Sequence, residues 1–247
     1  MLELETSYSL TQVPYITYEA LEEYAEDIVR DFASNSLHTP GVVDVDRFME
    51  YYIGLNIDFR HIYYDRVILG MTAFSDGIID VLDINTNQPE PMLLKRGTVI
   101  LDTSLSLKRN NKRRRFTMTH EGSHWLLHRK ALAPENPFGN IGEFQNQYLA
   151  AKTGKVDYSR SEKERNDIER MERQADFLAS AILMPRPALR ETYIKFFKSI
   201  KEKRRILTRG NDNELIKQLI QYVSGIYEVS NRAALIRLEK LGAIVSQ

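Results

Sequence analysis

The sequence predicts an α+β fold: a backing helix and a small, mostly antiparallel sheet, then two helices that carry the chemistry, then a helical C-terminal tail. Three observations lead there. Apolar residues recur at three-and-four spacing between Tyr18 and about Ser36, the period of an amphipathic helix. Between Leu55 and Asp102, short apolar or alternating runs are separated by turn-forming residues, as strands are. From Phe116 the helical period returns and runs to the end of the chain, interrupted only by residues 131 to 160.

Each element has its own justification. Leu21, Tyr24, Ala25, Ile28, Val29 and Phe32 form the apolar stripe of the first helix, which Pro40 and Gly41 end. A short helix from about Asp44 to Tyr52 stops at Gly54, and Leu55, Ile57 and Phe59 then alternate as in a half-buried strand. Runs 66–72 and 78–84 flank the turn signal Asp76-Gly77, and 98–102 follows an Asn/Pro-rich loop at 85–91, giving a small meander. Residues 131 to 160, with Pro134, Pro137, Gly139, Gly142 and Gly154, read as a long surface excursion. The longest helix runs from Ser161 to Met184; Ser161 and Glu164 form a capping box, and Pro185 and Pro187 mark its end. Three tail helices follow, at 189–205, 214–223 and 231–241, with Gly225 between the last two, Ser230 as a cap and Gly242 as the stop. The expected division is a core over 1–186 and a tail over 187–247.

Composition narrows the chemistry. With 43% apolar and 28% charged residues in 247, the chain can build a large core, which excludes disordered and fibrous classes. It has no Cys, so disulfides, thiolate nucleophiles and Cys-ligated zinc are excluded, and any metal must be held by His and carboxylates. Glu3 and Glu5 stand where a signal peptide carries Lys or Arg, and the longest apolar stretch, 177–185, is too short to span a bilayer. A cytoplasmic protein without membrane insertion is expected. Equal totals of 34 bases and 34 acids conceal an asymmetry: residues 1–50 hold eleven acids against Arg30 and Arg47, a net −9, whereas KRNNKRRR at 108–115 places six bases in eight positions. A second basic cluster comprises Lys201, Lys203, Arg204, Arg205 and Arg209. Such runs are commonly solvated faces; otherwise they meet an acidic protein surface or nucleic acid.

His120-Glu121-Gly122-Ser123-His124 is an HExxH sequence inside a predicted helix. Spacing of four puts both imidazoles on one face, where they can bind one zinc ion, with Glu121 turned toward its water. The alternative is two helix histidines that face solvent or cap neighbours. Catalytic zinc needs a third protein ligand and an open position. A metzincin would have a third His at position 130, which is Lys130, so that class is excluded. His128 lies one turn beyond His124, and three His on successive turns of one straight helix do not converge on a tetrahedral ion, so His128 reads as a packing or supporting residue. Glu172 and Asp176, four apart in E-R-Q-A-D where the long helix turns apolar, are the better candidates: one can reach the metal while the other accepts the free ring N–H of a ligand His. They could instead belong to a charged face with Glu162, Glu164, Asp167 and Glu169.

R-F-T-M-T-H-E-G-S-H-W-L-L-H from Arg115 to His128, with E-R-Q-A-D-F-L-A-S-A-I-L-M-P from Glu172 to Pro185, resembles the paired signatures of the ImmA/IrrE family of metallopeptidases. The resemblance extends over the preceding helix and meander and the ending from Val229 to Gly242. It implies a zincin-like core, with His120, His124 and Glu172 as ligands of one zinc ion, Glu121 as general base, and Asp176 as acceptor from a ligand ring. Two positions depart from the pattern: Ser123 stands where Gly is usual, with Gly122 one place earlier, and Thr119 replaces a usual Ala. The resemblance also implies a substrate class, a phage-type or stress-response repressor with a helix-turn-helix, cut at one site to derepress its genes. Lys112, Arg113 and Arg114 beside the active-site helix are candidate docking residues for an acidic segment of that substrate. The sequence singles out no oxyanion stabiliser, since several of the thirteen Tyr are plausible, Tyr148 and Tyr158 in the long loop among them.

The rival class is a non-catalytic, zinc-containing regulatory protein that grips a repressor or DNA. The last two helices have helix-turn-helix character, and Arg232, Arg237 and Lys240 of the final one would be the DNA-facing bases. The same helix suits a packed structural role, so direct contact with nucleic acid is not expected.

Overall fold

The computed structural model describes residues 6–9, 12–62, 68–133 and 162–246. These make an α+β protein that divides into two units, one of 3–18 with 45–179 and the other of 19–44 with 180–247. That grouping differs from the expected division at residue 186, because the first helix joins the C-terminal helices instead of the sheet. No helix among the described residues is long and apolar enough to cross a membrane.

The first unit opens with a hairpin, β1 (Ser7–Tyr8) and β2 (Pro14–Tyr15), in a segment where the sequence offers no periodicity. A short helix, α2 (Val45–Arg47), continues as a π-turn over Phe48–Ile53. Strands β3 (Asn56–Arg60), β4 (Gly70–Thr72) and β7 (Thr98–Asp102) form one sheet in the order β3-β7-β4. Buried Val99, Ile100 and Leu101 put β7 in the middle, paired parallel with β3 and antiparallel with β4. This corrects the expected meander. A second correction concerns residues 85–91: β5 (Gly77–Asp83) pairs with β6 (Gln88–Leu94), so much of the Asn/Pro-rich stretch is strand. Both prolines, Pro89 and Pro91, lie exposed on β6, which has no second strand partner among the described residues, and an edge strand is where proline is tolerated.

Two long helices complete this unit, α3 (Asn111–Leu132) and most of α4 (Glu162–Leu183). Helix α3 starts earlier than its apolar pattern suggests, so the bases 112–114 occupy a helical turn. Ser161, half of the expected capping box, and most of the expected 131–160 excursion lie outside the described residues. Val13, Phe74, Ala131, Leu132, Ile168 and Met171 form a core with Trp125 against it, which ties the residue before β2 to α3 and α4.

Gly122 lies on the side of α3 that meets the π-helix. A Cβ there would meet Met49 Sδ at 2.6 Å and Ile53 Cδ1 at 3.1 Å, so these two side chains pack directly on the α3 backbone. Ser123, on the next position, is fully buried and donates to the Thr119 carbonyl at 2.7 Å.

In the second unit α1 (Tyr18–His38), from Glu19 on, belongs with α5 (Arg186–Ser199), α6 (Asn213–Tyr227) and α7 (Asn231–Lys240), and the short strands β8 (Leu207–Thr208) and β9 (Ile244–Val245) pair in parallel. Helix α6 runs through Gly225 and ends at Glu228, which takes the left-handed conformation at φ 49°, so the turn falls three residues after the expected glycine. Ser230 caps α7 as expected, accepting from the Ala233 N–H at 3.1 Å. Arg237, offered by the sequence as a DNA-facing base, is fully buried; it donates to both Glu22 carboxylate oxygens at 2.5 and 2.6 Å and to the Met184 carbonyl at 3.1 Å. It holds α7 to α1 and is not available to nucleic acid. Glu22→Ala leaves that guanidinium charged and buried, and is expected to destabilise the chain by about 3–5 kcal/mol. Urea unfolding at pH 7 measures this; a midpoint unchanged from the parental protein would contradict it.

Candidate metal centre

The site is built on the facing sides of α3 and α4. On α3, spacing of four brings His120 and His124 together, with their Nε2 atoms 3.0 Å apart. From α4, Glu172 completes the group: its Oε2 lies 3.3 Å from His120 Nε2 and its Oε1 3.4 Å from His124 Nε2. These three residues form a cluster that can hold a metal ion. Ligand bonds of about 2.0–2.1 Å in a tetrahedron imply ligand–ligand edges of about 3.3–3.4 Å; each imidazole stands at that distance from one of the two Glu172 oxygens, and the two Nε2 atoms are somewhat closer together.

Asp176, one helical turn beyond Glu172, places Oδ1 2.9 Å from His120 Nδ1. Its side chain is 62% exposed, so this support stands in water. His124 is held differently. Its ring is fully buried, and its Nδ1 lies 3.0 Å from Nδ1 of His128, also fully buried. Burial, then the nearby His124, hold the His128 imidazole well below the ordinary histidine range, so this ring is neutral at pH 7. His128 Nε2 meets Gln174 Oε1 at 3.0 Å and its Nδ1 faces the Nδ1 side of His124, away from that ring's Nε2. That agrees with the sequence argument that three successive-turn histidines do not converge.

Glu121 is 1% exposed, and the Thr72 hydroxyl donates to its Oε2 at 2.9 Å. The edge strand β4 thus presses against α3 beside the glutamate. At Gly70 a Cβ would meet Thr117 Cγ2 at 2.7 Å and Glu121 Cγ at 3.1 Å, so only glycine lets the strand come this close. Thr72, Gly70 and Gln174 are site residues that the sequence did not reveal. Gln174 alone left a signal, a polar residue between two candidate ligands on a helix that is turning apolar.

The basic run divides. Lys112 and Arg113 are exposed on the first turn of α3. Arg114, expected to dock substrate, is instead engaged: its Nη1 and Nη2 donate to the two Asp46 oxygens at 2.6 and 3.0 Å. The Asp46 hydrogen bond raises the Arg114 pKa further, and the pair holds α3 to α2. Arg115 is buried, which suits a structural part. Tyr148 and Tyr158, two of the several tyrosines plausible as oxyanion donors, lie outside the described residues. Compared with known proteins, the sequence matches no family model and no curated protein.

Proposed function

We propose that this chain is a zinc-dependent endopeptidase of the glutamate-zincin type. More particularly, it is a cytoplasmic peptidase that cuts a helix-turn-helix repressor at one site and so releases the repressed genes. The observation that carries the reading is the approach of His120 Nε2, His124 Nε2 and Glu172 to within 3.0–3.4 Å of one another, on the same helix as a buried glutamate with its own hydroxyl donor. The donor set of two imidazoles and one carboxylate, without thiolates, is a catalytic zinc set. The substrate class follows from the resemblance of the two motif helices to the ImmA/IrrE signatures.

His120, His124 and Glu172 would hold the ion, which when bound supplies Lewis acidity toward the scissile carbonyl and the attacking water. Glu121 takes the proton from that water and passes it to the leaving amine. Thr72 keeps the Glu121 carboxylate in one orientation, and Asp176 fixes the His120 ring by accepting from its Nδ1–H. The dry surroundings of Glu121 strengthen its contact with Thr72.

The test is to incubate the zinc-loaded chain with a helix-turn-helix repressor encoded beside its gene and to read intact masses. Two fragments that sum to the repressor plus one water are expected; a repressor intact after prolonged incubation counts against the reading.

Cations in a first helical turn oppose the helix dipole, so Lys112 and Arg113 stand where they are a cost to α3. Steering of an acidic substrate segment gives that cost a function. Lys112→Ser with Arg113→Ser is therefore expected to slow cleavage by about three- to tenfold at low salt, chiefly in association, while leaving zinc content unchanged and stability the same or slightly higher. A parental rate at low salt would remove the docking role. Arg114→Ser, in contrast, should lower stability.

A further inference from the structure

The ring of His124 ends a line of four polar groups. His124 Nδ1 lies 3.0 Å from His128 Nδ1, His128 Nε2 lies 3.0 Å from Gln174 Oε1, and Gln174 Nε2 donates to the Pro14 carbonyl at 2.9 Å. Both rings are fully buried and Gln174 is nearly so. The direction of every bond in this line follows from its far end. A carbonyl can only accept, so Gln174 turns its NH2 to Pro14 and its oxygen to His128. That oxygen needs a donor, so His128 carries its proton on Nε2 and leaves Nδ1 as an acceptor. His124 must then donate from Nδ1, which leaves its Nε2 lone pair facing His120 and Glu172.

We propose that His128 and Gln174 are positioning residues that select the metal-binding tautomer of His124, with the Pro14 carbonyl of the N-terminal hairpin setting the polarity of the whole line. The inference rests on the metal-site reading above and deepens it. The two ligand rings are thus supported unequally: His120 by a solvent-exposed carboxylate that can adjust, His124 by a buried line with one permitted orientation. The hairpin is itself anchored on α4. Ser9 Oγ donates to buried Asp167 at 3.1 Å, and the Arg170 guanidinium lies 4.2 Å from the centre of the Tyr15 ring. Residues 167, 170 and 174 share one side of the helix, so one face of α4 carries both the hairpin and the end of the line.

Zinc affinity, measured by competition with a chromophoric chelator, and the imidazole 15N shifts of the zinc-loaded chain test this together. His128→Phe keeps a ring but removes the acceptor, and should weaken zinc binding by about 10- to 100-fold. His128→Asn places an amide oxygen near the former Nδ1 and should recover most of that loss. Gln174→Leu should weaken binding in the same direction, and serves if His128→Phe does not fold. In the parental protein, His128 should be protonated on Nε2 and His124 on Nδ1. Parental affinity in both His128→Phe and Gln174→Leu, or a proton on His128 Nδ1, overturns the proposal while leaving the metal site intact. A parental chain that binds no zinc overturns both.

Discussion

Glu121→Gln is expected to bind zinc as the parental protein does, to unfold at the same temperature, and to cleave the repressor at least about 100-fold more slowly. General acid–base groups contribute roughly 10²–10⁴ in rate, and an amide cannot take the proton that a carboxylate takes. The substitution is nearly isosteric, and the new amide oxygen can still accept from the Thr72 hydroxyl that now reaches Oε2. The close contact with Gly70 is also kept, since no atom is added. Zinc content by elemental analysis and cleavage by intact mass are read on one preparation, so a lost activity is separated from a lost metal. Cleavage at the parental rate would defeat the proposed mechanism.

The second large effect is on the metal itself. Glu172→Gln should lower zinc affinity by at least about 100-fold, more than the loss of a supporting residue, because it removes the one anionic member of the three-residue cluster. His124→Ala should lose zinc as well, and because His124 is fully buried it should also lower stability. Glu172 is partly exposed, so its replacement should leave the apo fold nearly unchanged. Elemental analysis after dialysis decides the matter: full zinc in Glu172→Gln would remove Glu172 from the ligand set.

The long helices were legible because their apolar stripes have a period that solvent imposes on any helix with one dry face. The stripe of α1 and the 98–102 strand lie where the spacing predicts them. The errors fall where local pattern is weak or two partners are equally plausible. Nothing local distinguishes a strand that pairs with the next one from a strand that waits for a third, so β5 was expected against the run before it and instead pairs with β6. Gly225 looks like a turn because glycine is a poor helix former, yet α6 continues through it and Glu228 makes the turn. Arg114 and Arg237 read as surface bases; each is held by a carboxylate far away in the chain, Asp46 and Glu22 respectively.

What the sequence determined by itself was the α+β class and the short-range part of the site. His120, Glu121 and His124 are within one helical turn or so of each other, as are Glu172 and Asp176, so 3.6 residues per turn places each group without reference to the rest of the molecule. Tertiary structure decided which groups meet across elements. Glu172 closes the cluster only because α4 packs beside α3, Thr72 reaches Glu121 only because Gly70 lets β4 approach, and Pro14 orders the His128 line from a hairpin with no sequence pattern of its own. Periodicity records how one element meets solvent; it holds no information about which distant carbonyl, hydroxyl or carboxylate a buried polar group will find, and a buried polar group must find one.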